Sequence, residues 1–247
     1  MHSRLYFAAI TTALFAATTA AHAQPSDEAR PDRAAFRELY KELVETNTTP
    51  SAGSCTLAAE RMAARLKAAG FEDENLNLFS VPEHAEDGGL LATLPGADPN
   101  AGAVLMLAHI DVVEAKREDW TRDPFTLIEE DGKLYGRGTA DDKAQAAIFT
   151  DALARLKSSG EVTRRTLKMA LTCGEETEGE FNGAEWLTKE HMDWIAADFA
   201  INEGGTGLLG ENGEPVSLGF QAGEKVYQDF RIEATNPGGH SSRPRAD

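Results

Sequence analysis

The chain has 247 residues, with 41 Asp and Glu against 24 Lys and Arg for a formal net charge of −17. That length allows one large α/β domain, or one domain and the start of another, and 41% hydrophobic with 26% charged residues is an ordinary soluble composition. So acidic a surface disfavours nucleic acid and anionic membranes as partners, and no apolar stretch reaches the roughly 20 residues that cross a bilayer.

Arg4, the apolar run Leu5 to Ala20 and Ala21-His22-Ala23 before Gln24 form a basic n-region, an h-region and an A-x-A site. Residues 1–23 are read as a signal peptide cut after Ala23, the alternative being an anchoring first helix, and export to a bacterial periplasm or beyond is expected. Cleavage removes only Arg4 among charged residues and takes the formal charge from −17 to −18. Residues 24–32 read as a flexible lead-in. Asp32 can cap a helix bearing Phe36, Leu39, Tyr40 and Leu43, which ends near Asn47-Thr48-Thr49-Pro50. Ser54 opens a second helix, with Met62, Leu66 and Ala69 inward and Gly70 as its stop. Leu76 to Val81 is extended, and Gly89 to Leu94 is a strand. The unbroken apolar run Ala103 to Ala108 suits a parallel strand covered on both faces.

Ala140 to Leu156 has helical spacing in Ile148, Leu153 and Leu156, Leu167 to Thr172 is a buried strand, Asn182 to His191 a helix and Phe199 to Ile201 a strand. This alternation predicts an α/β fold with a mostly parallel sheet flanked by helices. After Gly205 a turn-rich link, Thr206 to Glu214, leads to Val216–Phe220 and to an alternating strand, Lys225–Ala234. The expected domains are therefore 24–212 and a second one from 213 to 247. About 35 residues cannot bury a core alone, so the second is read as incomplete. Export permits a disulfide, but Cys173 ends an apolar strand, and two free cysteines, Cys55 and Cys173, are the simpler expectation.

Five segments carry chemistry, four of them beside strand ends, where ligands gather in open α/β sheets. His109-Ile110-Asp111 follows the Ala103 strand, and residues two apart face one way in extended chain. Asp111 would fix the imidazole or tune an attacking group, although a water-satisfied strand end would look the same. Gly136-Arg137-Gly138-Thr139-Ala140-Asp141-Asp142-Lys143 makes a tight turn before a helix, and its acids are metal ligands or plain caps. It lacks the third glycine of a dinucleotide site. Gly174-Glu175-Glu176 sets two acids side by side after a buried strand, where neighbouring side chains diverge: one can hold a cation while the other reaches water. Asn202-Glu203-Gly204-Gly205 closes another apolar strand, and Gly238-Gly239-His240-Ser241-Ser242 lies in the second domain. One imidazole with several carboxylates suits hard or borderline divalent ions. No Cys-x-x-Cys, His-Glu-x-x-His or Gly-x-Ser-x-Gly occurs.

In this order the motifs resemble those of the aminoacylase, carboxypeptidase G and succinyl-diaminopimelate desuccinylase family of dinuclear zinc hydrolases, over nearly the whole mature chain. The resemblance implies a zinc-exopeptidase-like catalytic domain followed by the start of an inserted α+β lid or dimerisation domain. It implies two zinc ions, with cobalt or manganese as alternatives. Asp141 would bridge them, His109 and Glu203 would complete one ion, and Glu176 would hold the other. Glu175 would be the general base, Asp111 the support of His109, and His240 a donor to the substrate's carbonyl oxygen. A non-proline cis peptide between Asp141 and Asp142 is also implied. The expected activity is hydrolysis of an amide bond in a small peptide or N-acyl amino acid, with a homodimer forming through the lid. The family's last ligand, a histidine, would lie beyond Asp247, so this stretch by itself is expected to be inactive. A non-catalytic metal- or peptide-binding module on the same scaffold is the rival reading.

Overall fold

The computed structural model describes residues 31–177 and 181–219, with scattered positions between 222 and 242. The signal-peptide segment and half of the expected strand Lys225–Ala234 lie outside the described residues, and the described positions of that strand, 228 and 230–233, are not in a strand. The chain divides into two compact units, Met1–Ile201 and Asn202–Asp247.

The first unit opens with α1 (Pro31–Glu45) and α2 (Cys55–Ala68). Both form for the reasons their sequences suggest. Leu39, Leu43 and Val44 bury one stripe of α1. The Ser54 side chain caps α2 by accepting from the Leu57 amide at 3.0 Å, and Gly70 takes the stop at φ +100°. Strands β1 (Leu76–Val81), β2 (His84–Leu94) and β3 (Ala103–His109) follow, then a short hairpin, β4 (Ile128–Glu130) and β5 (Lys133–Tyr135), that the sequence did not announce. Then come α3 (Lys143–Ser159), β6 (Thr166–Thr172), α4 (Gly183–Glu190), α5 (Met192–Ile195) and β7 (Phe199–Ile201). Helix α3 starts later than its spacing predicts because the chain is still turning: Gly138 sits at φ +78° and Asp142 is the N-cap residue. Ile148 is exposed, and the helix packs instead through Ala146, Ala147, Thr150 and Leu153.

The central sheet has the order β1-β2-β6-β3-β7. Strand β3 is parallel to both β6 and β7, and β2 is antiparallel to β1 and β6. Four of the five strands therefore point one way, as the apolar runs predict. One face carries the main core, where Leu43, Met62, Leu66, Leu153, Met169 and Leu171 meet. On the other, Leu91, Leu105 and Ala170 pack with Leu187 of α4 and with Trp186 and Trp194. In register, His109 pairs with Thr172, so β3 and β6 end together.

The cysteines are not free. Cys55 and Cys173 form a disulfide with Cα atoms 6.0 Å apart, joining residues 118 positions apart in sequence. Both are buried, and burial was the wrong discriminator: a core cystine is as well hidden as a core thiol. On a chain-entropy account, closing so long a loop stabilises the fold by roughly 4–5 kcal/mol. The second unit contains β8 (Thr206–Leu209) and β9 (Pro215–Gly219), an antiparallel hairpin, so the stretch read as a link contains a strand.

Candidate metal centre

The register that ends β3 beside β6 delivers two motifs to one edge of the sheet. His109, the last residue of β3, is buried. Its Nδ1 lies 3.2 Å from the Asp111 carbonyl and 3.5 Å from Asp111 Oδ1. With Nδ1 turned to the Asp111 carbonyl, Nε2 is the ring nitrogen presented to the other acids. Nε2 faces Asp141 Oδ1 at 2.9 Å and Glu175 Oε2 at 3.9 Å. One ligand atom each from His109, Asp141 and Glu176 lies within 4.8 Å of the others.

Asp141 arrives through the glycine turn before α3. Gly138 admits no side chain, since a Cβ there would come within 2.7 Å of Val112 Cγ1. The Asp141–Asp142 peptide is cis, as the resemblance implied. Lys143, the first residue of α3, is fully buried, and its Nζ donates to the Thr46 carbonyl at 2.7 Å. Burial pulls its pKa down to about 7, with the Asp111 charge opposing.

Glu175 and Glu176 follow β6 directly. Gly174 turns the chain at φ +90°, where a Cβ would stand 1.9 Å from the Phe181 carbonyl oxygen. Asp111 Oδ2 accepts from the Glu176 amide at 2.9 Å, so one carboxylate supports both the imidazole and the acid pair. Burial works to raise the Asp111 pKa, but its bonds to His109 and the Glu176 amide and the imidazole's charge hold it below the ordinary carboxylate range. Glu176 is shifted the other way, upward, by burial and then by the charge of Asp141, with His109 partly offsetting and Glu175 and Asp111 adding. A divalent cation beside Glu176 would relieve the repulsion that raises its pKa, and imidazole nitrogen with carboxylate oxygens suits a hard or borderline ion.

Of the seven residues proposed from sequence, the first unit brings together His109, Asp111, Asp141, Glu175 and Glu176. Glu203 stands two residues beyond β7, at the start of the second unit. His240 lies outside the described residues. The sequence reading quoted Lys143 without giving it a role. A lone lysine two residues after a ligand-type aspartate, at the start of an apolar helix face, was the available signal for burial. The bridge at Cys173 had no such signal.

The profile of peptidase family M20/M25/M40 matches residues 105–237, more than half of the chain. Among curated proteins, acetylornithine deacetylase of Photorhabdus laumondii is 36% identical over 217 residues, covering 85% of this chain and 50% of its own length. Human N-fatty-acyl-amino acid synthase/hydrolase PM20D1 is 30% identical over 226 residues, covering 89% of this chain and 44% of its own. The chain thus spans about half the length of the curated relatives it matches. Human carnosine dipeptidase 1 superposes with a TM-score of 0.54 at 26% identity, over 69% of this chain and 38% of that one. An M20 family metallo-carboxypeptidase of Sulfolobus solfataricus gives 0.58 over 72% of this chain and 38% of that one, and at 22% identity it speaks for the fold alone. The profile runs from β3 across the acid pair into the second unit, and this chain belongs to peptidase family M20/M25/M40.

Proposed function

We propose that this chain carries most of the metal centre of an amide-bond hydrolase acting on a small peptide or N-acyl amino acid with two zinc ions. The observation that carries the reading is the meeting of His109, Asp141 and Glu176 within 4.8 Å, with Glu175 at its rim. Asp141 would be shared by the ions, His109 and Glu203 would hold one, and Glu176 would hold the other. Bound divalent ions supply Lewis-acid polarisation of a carbonyl and lower the pKa of water towards about 7.

The chain's own residues do the remainder. Glu175 is half exposed beside the ligand cluster, and it takes the proton of the attacking water and returns it to the leaving amine. Asp111, buried and ionised, fixes the His109 ring and the turn that carries the acids. His240 would donate to the carbonyl oxygen as it gains charge, from a lid domain opening near residue 213 through which a homodimer would form. The names of the two curated relatives, a deacetylase and an N-fatty-acyl-amino acid hydrolase, support acyl amino acids as the substrate class. The segment before Gln24 supports export. No helix among the described residues is long and apolar enough to cross a membrane.

The test uses the full-length protein, metal-analysed and assayed on N-acetyl and N-fatty-acyl amino acids and on dipeptides. Turnover that chelator abolishes and zinc restores is expected. Stoichiometric zinc with no turnover on any of the three classes would replace the hydrolase with a binding module.

A further inference from the structure

Beyond the ligand cluster, one covalent feature reaches the turn that carries the two acids. Cys173 directly follows β6 and is separated from Glu175 by Gly174 alone. Its partner, Cys55, is the first residue of the capped helix α2 and is 2% exposed. The anchor therefore sits on a packed element. Single hydrogen bonds also hold the turn. The Gly183 amide donates to the Cys173 carbonyl at 2.8 Å, Asn182 Nδ2 to the Gly174 carbonyl at 2.9 Å, and the Glu176 amide to Asp111 Oδ2 at 2.9 Å. A glycine at the pivot gives such a turn wide freedom once an end is released. Small displacements of a reacting group weigh heavily on rate, so a covalent tie one residue from Glu175 constrains the site. The bridged residues also line a cavity of about 260 Å³ with Thr48, Asp111, Gly174 and Thr177.

We propose that Cys55 is a positioning residue, holding the Gly174–Glu176 turn through its bond to Cys173 so that both carboxylates face His109 and Asp141. The proposal rests on the hydrolase reading only in its turnover measurement.

The experiment reduces the full-length, zinc-loaded protein with a water-soluble phosphine. Each bridge takes two electrons from phosphorus, the oxygen of one water goes to phosphorus and its two protons go to the sulfurs. Amide hydrogen exchange is followed across the molecule, with kcat and KM in parallel, before reduction, after it and after reoxidation. Exchange in 174–177 should quicken by about ten-fold while β2 and β3 stay unchanged. kcat should fall by roughly ten- to a hundred-fold with KM little altered, and reoxidation should restore both. Cys55→Ser in a Cys173→Ser background should reproduce the reduced state, and if that variant fails to fold, the reduced wild type decides. Two free thiols in the oxidised protein, unchanged exchange at 174–177, or faster exchange spread evenly over the sheet would each overturn the proposal. Local quickening in a protein that hydrolyses nothing would keep the positioning role and remove the hydrolase reading.

Discussion

Glu175 and Glu176 are adjacent, yet the turn after β6 gives them different surroundings. Glu176 is pressed by burial and Asp141, whereas Glu175 stands at the rim of the cluster. Glu175→Gln should keep the metal content of the full-length protein and lower kcat by roughly 10²- to 10⁴-fold, the usual weight of a general base. Retained turnover would take the base role from it. Glu176 gives a prediction whose sign changes with metal. Its raised pKa means that, without metal, the stability it contributes is present below the ordinary carboxylate value and lost as pH rises through the folded value. Glu176→Gln should therefore stabilise the metal-free protein at neutral pH and weaken zinc retention, and unfolding curves with and without zinc would show the crossing. Lys143 acts in the alkaline range. Its folded pKa of about 7 lies below the ordinary 10.5, so the unfolded chain binds more protons between those values and stability rises with pH there. Lys143→Met should flatten that rise by up to about 1.4 kcal/mol per pH unit in urea unfolding of the metal-free protein. Equal slopes would mean that the ammonium is not buried.

At the scale of elements, the site is a set of strand ends and the turns after them. Gly174 isolates the turn's contribution. Gly174→Ala meets both a left-handed φ and the Phe181 carbonyl, while Gly132, at φ +71°, has nothing within 4 Å of a Cβ. Gly132→Ala should thus cost only about 1 kcal/mol for the backbone, and Gly174→Ala should cost more and also lower kcat. Equal effects in thermal melts and turnover would mean that the acid turn tolerates displacement. Much at this scale was legible. The apolar run Ala103–Ala108 and the run ending at Thr172 read as parallel buried strands, and Ser54 and Gly70 bounded α2, because caps and periodicity act within a few residues. The β4–β5 hairpin escaped notice, its strands being three residues each and exposed along most of their length. Ile148 reads as a packed position for a related reason: the small residues Ala146 and Ala147 are fully buried while Ile148 is exposed, and hydrophobicity alone does not rank alanine above isoleucine.

For the whole molecule, a charge of −17 concentrates repulsion wherever carboxylates converge. Metal-free protein should gain stability modestly with sodium chloride and much more with zinc, by about 2.7 kcal/mol at a hundred-fold excess over Kd. Chelator should reverse the second gain alone. If zinc raised the melting temperature no more than salt of equal ionic strength, the acids would be an ordinary solvated surface. Alternating hydrophobic periods and five motifs in order were enough, from sequence, to assign the α/β class and the family, since each of these signals is written in neighbouring positions. Only the tertiary structure decided that Cys55 and Cys173 are bonded across 118 residues, that Lys143 reaches Thr46 through the core and that Asp111 also holds the acid turn through the Glu176 amide. These are meetings of distant segments, made by packing and register, and nothing in either partner's local sequence names the other.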